Sequence, residues 1–277
     1  MENHKSTMEN TLEGQVIAVT GGAGVLCATL CRSMAATGAM VAILDINSLA
    51  AGDLASQINS AGGRAIAVAC NVTVKEDLEA AADKVIQAFG SVDILVNGAG
   101  GNSPQATTNG ELSFFDLPEQ AIQWVIDLNL TSTVLACQVF GRIMAEQKKG
   151  IILNISSMNA FRPLTRIPAY SAAKAAVSNF TQWLAVHMAE EYSSEIRVNA
   201  IAPGFFLTDQ NRYILIDKAS GELNPRGQAI IAHTPLRRFG RPDELVSTVM
   251  WLLSPASSFI TGIVVPVDGG FSAFSGV

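Results

Sequence analysis

The chain has 277 residues, 49% of them hydrophobic and 15% charged, with a formal net charge of −6. That apolar supply builds a sizeable core and excludes a disordered chain. The acidic balance and the lack of any basic run argue against nucleic acid and anionic membrane as partners. No hydrophobic run of transmembrane length is expected.

Residues 1–11 are polar, lack the apolar segment of a leader and read as a flexible tail. Short β-branched runs then alternate with helical patterns. Val16–Thr20, Met40–Asp45, Ala65–Cys70, Asp93–Asn97, Ile151–Ile155, Ile196–Ile201 and Ile263–Val267 read as strands, apolar on both faces as buried parallel strands are. Helices are expected near 25–37, 48–61, 75–89, 118–148, 169–191 and 242–253. This alternation predicts an α/β fold, a doubly wound seven-stranded parallel sheet with helices on both faces. No linker or repeat divides residues 12–277, so one domain is expected. The stretch 205–233 mixes aromatics, charges and a Gly/Asn/Pro patch and reads as a flap over a site at the strand ends.

Four cysteines (Cys27, Cys31, Cys70, Cys137) form no CxxC pair and share no zinc spacing with the three histidines. They read as buried free thiols of a reducing cytoplasm, and no metal site is expected.

The first strand runs into Thr20-Gly21-Gly22-Ala23-Gly24-Val25-Leu26-Cys27. Gly21 and Gly24 allow a tight turn and close approach of a diphosphate to a helix N-terminus. Cys27 stands where the last glycine of such a turn falls, a position that sets helix–strand contact. Asp45 ends the second strand, where a carboxylate suits ribose hydroxyls and repels a 2′-phosphate, so NAD is expected over NADP. Its alternative is an N-cap of the next helix. Asn71 and Val72 could bracket an adenine. The small residues of Asn97-Gly98-Ala99-Gly100-Gly101 suit a backbone close to a cofactor.

Tyr170 and Lys174 are four apart on an expected helix and so share a face. A nearby ammonium favours the phenolate, and a phenol tuned towards neutral pH can exchange a proton with a carbinol or carbonyl oxygen. Ser157 lies 13 residues before the tyrosine and could hydrogen-bond the same oxygen.

Together these markers resemble the short-chain dehydrogenase/reductase family across 12–277. The resemblance implies a Rossmann fold and an Asn129–Ser157–Tyr170–Lys174 tetrad. In it Asn129 holds a relay water through its helix and Ser157 orients substrate. Tyr170 is the acid/base, and Lys174 binds the nicotinamide ribose and depresses the tyrosine pKa. Ser156 is a strand-end polar residue. Ala99, Gly100, Pro203, Gly204 and Thr208 join the cofactor set with Tyr170 and Lys174. The stretches around Gly98–Asn102, Ser156–Pro163, Ala202–Thr208 and Pro266–Ser272 are similar to the fructuronate reductase (D-mannonate oxidoreductase) branch. That implies a small sugar acid as substrate, interconverting D-fructuronate and D-mannonate. Another polyol or sugar-acid dehydrogenase of the gluconate 5-dehydrogenase kind, or a non-catalytic nucleotide sensor, remains open.

A sugar acid needs a cation and several polar groups. Arg162 reads either as that cation or as a surface arginine beside Pro163. Asn102, Ser103 and Asn159 are further substrate candidates. Gln210, Asn211 and Arg212 lie in the flap, with Arg212 the alternative carboxylate partner. Trp183 and His187 read as packing residues, and the resemblance implies a homotetramer paired through the helices at 118–148 and 169–191.

Overall fold

A computed structural model describes residues 12–207, 215–217 and 220–276. The expected tail at 1–11, and Thr208, Gln210, Asn211 and Arg212, lie outside the described residues.

The sheet has seven strands in the order β3-β2-β1-β4-β5-β6-β7, every neighbour pair parallel. The strands are β1 (Val16–Thr20), β2 (Met40–Asp45), β3 (Arg64–Ala69), β4 (Ile94–Asn97), β5 (Gly150–Ile155), β6 (Ile196–Pro203) and β7 (Val264–Val267). The helices are α1 (Val25–Ala36), α2 (Ser48–Ser60), α3 (Lys75–Phe89), α4 (Glu119–Ile126), α5 (Ser132–Gln147), α6 (Pro168–Glu191), α7 (Pro225–His233) and α8 (Val246–Leu253).

Strand periodicity feeds two cores. Ile17, Val19, Val41 and Ile43 point to one side, where α1, α2 and α8 cover them. Val16, Ala18, Ala42 and Leu44 point to the other, under α3, α5 and α6. Alternate residues face opposite sides of a strand, so a sheet covered on both faces needs apolar residues throughout. The edge strands β3 and β7 are the less buried ones. Pro266 fits only because β7 is an edge strand.

The chain winds β1 to β3 in one direction, then returns beside β1 as β4. The reversal leaves a crevice at the C-terminal ends of β1 and β4, the place where open α/β sheets take ligands. Every residue of the glycine turn, the β4 loop and the Ser157 loop stands at that end.

The helix expected over 118–148 is broken by a π-helical turn, Asp127–Thr131. Joined, Glu119–Gln147 is long and apolar enough to cross a membrane by length and composition, contrary to the expectation of no such run. Its most apolar window is 44% buried within the protein, and α5 packs on α3, β4 and β5. All four cysteines are buried and free, and burial pushes Cys27 and Cys137 up to about 12.

Candidate active site

The glycine turn is built by contact. Gly21 has φ +61°, and a Cβ on it would stand 2.7 Å from the Ala99 Cα. Only glycine lets the turn after β1 touch the loop after β4. Thr20 ties the two together, its Oγ1 accepting the Gly98 amide at 3.2 Å and the Ala99 amide at 3.3 Å. Gly24 precedes α1 and caps it with no side chain, so the first-turn amides of α1 are left for a ligand.

Asp45 is not the N-cap of α2; Asn47 is, accepting the Ala50 amide at 3.1 Å. One Asp45 oxygen instead accepts the Ala23 amide of the glycine turn at 3.0 Å, and the other the Asn47 amide at 2.9 Å. The carboxylate is thus fixed at the rim of the crevice.

A cavity of about 280 Å³ lies between Gly21, Gly24–Cys27, Gly98, Gly100 and Gly204–Phe206. Phe205 and Phe206 were missed by sequence reasoning. The signal available was an aromatic pair directly after Pro203-Gly204. Gly204 is forced by β7: a Cβ there would stand 2.6 Å from the Asp268 Cα.

Asn97 and Val72 turn away from this cavity. Asn97 is buried; its Nδ2 donates to Asn154 Oδ1 at 2.9 Å and to Cys137 Sγ at 3.2 Å. Asn154 in turn donates to Thr181 on α6 at 2.9 Å. The Asn97 side chain cross-links β4, β5 and α6, which leaves only its backbone for the expected approach to a cofactor. Val72 packs in the core beneath α3. Asn71 is spent on its own turn, its Oδ1 accepting the Thr73 amide and hydroxyl.

Ser157, Tyr170 and Lys174 come together. Pro168 starts α6, so Tyr170 and Lys174 occupy its first two turns on one face. The Lys174 Nζ lies 5.7 Å from the Tyr170 ring centroid and donates to the Ile155 carbonyl at 2.8 Å. The Ser157 side chain neighbours the tyrosine hydroxyl and acts to favour its phenolate. Ser156 faces inward, bonded to the Lys174 carbonyl and the Ser178 hydroxyl.

The π turn carries Asn129. Its side chain clamps the β4 loop from both ends: Oδ1 accepts the Gly101 amide at 3.1 Å and Nδ2 donates to the Gly101 carbonyl at 2.7 Å. Nδ2 also donates to the Val125 carbonyl at 2.8 Å, within its own helix. Gly100 is pressed between Asn129 and Lys174, where a Cβ would stand 2.7 Å from Asn129 Oδ1 and 3.1 Å from Lys174 Nζ.

Burial dominates the electrostatics. It pushes the Lys174 ammonium down to about 8. It pushes the Tyr170 phenol above its ordinary value, with the Ser157 hydrogen bond acting the other way. The expected lowering of the tyrosine by Lys174 is not among the causes of its shift: both groups share a dry site, and each is driven towards its neutral form.

On the substrate side the candidates separate. Arg162 is exposed, its Nε donating to the Ser272 carbonyl at 3.2 Å, with no ion pair among the described residues. The Asn102 Nδ2 binds the Thr107 hydroxyl at 2.8 Å, and its Oδ1 is buried without a partner. Ser103 caps a short 3₁₀ turn. Asn159, expected to meet substrate, is buried and holds Ser157 instead. His/Cys/Asp/Glu groups able to hold a metal are absent among the described residues.

The parts fit a nicotinamide dinucleotide: a turn only glycine allows, capless amides at α1, and a fixed carboxylate beside it. The chain belongs to the short-chain dehydrogenase/reductase family of oxidoreductases. A family model described as Enoyl-(Acyl carrier protein) reductase matches residues 17–272. The chain is 46% identical to the uncharacterized oxidoreductase UxuB of Bacillus subtilis, over 98% of this chain and 99% of that protein. It is 33% identical to the 5-keto-D-gluconate 5-reductase of Escherichia coli over 94% of this chain and 96% of that one. A Haemophilus influenzae protein provisionally named D-mannonate oxidoreductase, crystallised with bound NAD, superposes with a TM-score of 0.91. That protein shares 46% identity, over 96% of this chain and 98% of its own.

Proposed function

We propose that this protein is an NAD-dependent oxidoreductase that interconverts a keto sugar acid and its hydroxy form, D-fructuronate and D-mannonate first among candidates. The observation that carries the reaction class is the contact set of Ser157, Tyr170 and Lys174 beside the crevice that Asp45 borders. The likeness to the Haemophilus protein supports the sugar acid.

A bound nicotinamide supplies the hydride donor or acceptor. Ser157 donates a hydrogen bond to the substrate oxygen and fixes it near the phenol. Tyr170 gives that oxygen a proton in reduction and takes it back in oxidation. Lys174, held by the Ile155 carbonyl, places a positive charge beside the phenol and would bind the nicotinamide ribose. Asn129 holds the π turn and the β4 loop in register, and its helix would hold a relay water. The Asp45 carboxylate takes the adenosine ribose hydroxyls and disfavours a phosphate there. Arg162 supplies the cation for the substrate carboxylate, and Thr208 belongs to the cofactor set.

A cytoplasmic homotetramer paired through the α5–α6 face belongs to this reading, and the exposed Trp183, stacked on His187 with ring centroids 4.7 Å apart, supports such a contact.

The test is a panel of D-fructuronate, 5-keto-D-gluconate and simple ketoses with NADH and NADPH, on wild type and Tyr170→Phe. The expected result is highest kcat/KM for D-fructuronate with NADH, lost by about 10²- to 10⁴-fold in Tyr170→Phe. Better turnover of 5-keto-D-gluconate would move the enzyme to the gluconate branch. Wild-type turnover in Tyr170→Phe would refute the mechanism. Cofactor binding with no turnover of any substrate would leave the sensor reading.

A further inference from the structure

Asn159 sits inside the protein, two residues after Ser157, and its bonding is unambiguous. The Leu164 amide can only donate, so the Asn159 atom it meets at 3.2 Å is the side-chain oxygen. The Ser171 hydroxyl, in the first turn of α6, donates to the same oxygen at 3.3 Å. The amide nitrogen is thereby turned on Ser157, donating to its Oγ at 3.1 Å. The backbone amide of Asn159 donates to that Oγ too, at 3.2 Å.

A serine hydroxyl has one proton and two lone pairs. Two donors from Asn159 occupy both lone pairs, so Ser157 is left with its proton to give. Facing it are the Tyr170 hydroxyl and, behind the tyrosine ring, the Lys174 ammonium.

We infer that Asn159 is a positioning residue that polarises Ser157 as an obligate donor towards Tyr170 and the substrate oxygen. With its lone pairs taken, Ser157 cannot accept from the phenol. It stabilises the phenolate and the alkoxide-like oxygen, and does not hold the phenol protonated. Burial opposes the phenolate here, and the Ser157 bond works in its favour. Ser171 and Leu164 lock the amide so that it cannot flip.

The inference builds on the dehydrogenase reading of the same site, yet its deciding test needs no substrate. The tyrosinate absorbance is titrated in wild type, Asn159→Ala, Asn159→Asp and Ser171→Ala. Subtracting Tyr170→Phe isolates Tyr170 from the other two of the chain's three tyrosines. In Asn159→Ala the backbone amide still donates, but one lone pair of the Ser157 oxygen is free to accept from the phenol, so Tyr170 titrates at higher pH. Asn159→Asp keeps the acceptors for Leu164 and Ser171 but cannot donate, and titrates higher still. Ser171→Ala moves the same way by less.

On any substrate that the wild type turns over, kcat falls about tenfold in Asn159→Ala while KM for NADH holds within about twofold. An unchanged tyrosine titration in Asn159→Ala that melts like wild type would overturn the inference. So would a shift confined to Asn159→Asp, which added charge alone explains. If Asn159→Ala does not fold, Ser171→Ala decides, and an unmoved titration there refutes it.

Discussion

Cys27 and Gly98 form a matched pair, and the match can be measured. A Cβ on Gly98 would stand 2.2 Å from the Cys27 Sγ and 2.9 Å from the Thr20 carbonyl oxygen. Ordinary non-bonded contact is about 3.5–4.0 Å, so Gly98→Ala overlaps a buried sulfur by more than an ångström. Overpacking of this kind costs about 2 kcal/mol, or roughly 4–8 °C in Tm for a chain of this length. Cys27→Ala alone leaves a small void and costs about 1 kcal/mol. In the double variant the sulfur is gone and only the Thr20 carbonyl still crowds the new methyl. The loss should therefore fall short of the sum by about 1 kcal/mol. Thermal and urea melts of the four proteins at one concentration give the cycle. Additivity within about 0.5 kcal/mol, or a neutral Gly98→Ala, would show that the cysteine does not occupy the space the glycine vacates.

Asp45→Asn removes the charge while keeping an acceptor for the glycine turn. The ratio of kcat/KM with NADPH to that with NADH should rise at least roughly 100-fold, from repulsion of about 3 kcal/mol per unit charge at ~5 Å. An unmoved ratio would remove Asp45 from cofactor choice. Lys174→Met tests the cost of the buried ammonium. Its folded value of about 8 lies below the ordinary 10.5, so the unfolded chain holds that proton more tightly. The penalty is complete below pH ~8 and fades as pH rises from about 8 to 10.5. Lys174→Met should thus lose at least ~100-fold in turnover yet melt higher than wild type near pH 7, by about 1–2 kcal/mol. The gap should close at alkaline pH. A less stable variant near pH 7 would refute the penalty.

Much of the fold is legible because its signals are local. The apolar runs of β1 and β2 coincide with the strands, and β3 starts one residue earlier, at Arg64. The break in the helix at 127–131 carries no local mark, since no glycine or proline stands there. It goes with Asn129, whose amide reaches the Gly101 backbone across the fold. The site divides the same way. Tyr170 and Lys174 are readable from helical spacing. The directions of the Asn97 and Asn159 side chains are not legible from type and position, because they depend on what lies behind the strand ends. Asn154 and Thr181 draw Asn97 inward, and Leu164 and Ser171 do so for Asn159. Burial of Lys174 is likewise a property of the assembled site, so the sign of the Tyr170 shift could not be read from Tyr-x-x-x-Lys.

The Asp45–Ala23 bond and the Asn129–Gly101 clamp have a thermodynamic meaning. Each staples one wall of the crevice to the framework using only the protein's own groups. Loops fixed beforehand need not surrender freedom when a guest arrives, and ordering each free side chain would otherwise take about 0.5–1.5 kcal/mol from affinity. Binding energy gained along the length of the dinucleotide is then left for holding the reacting end in place. The crevice acts as a preformed mould, and its two staples belong to the affinity without being contacts to the ligand.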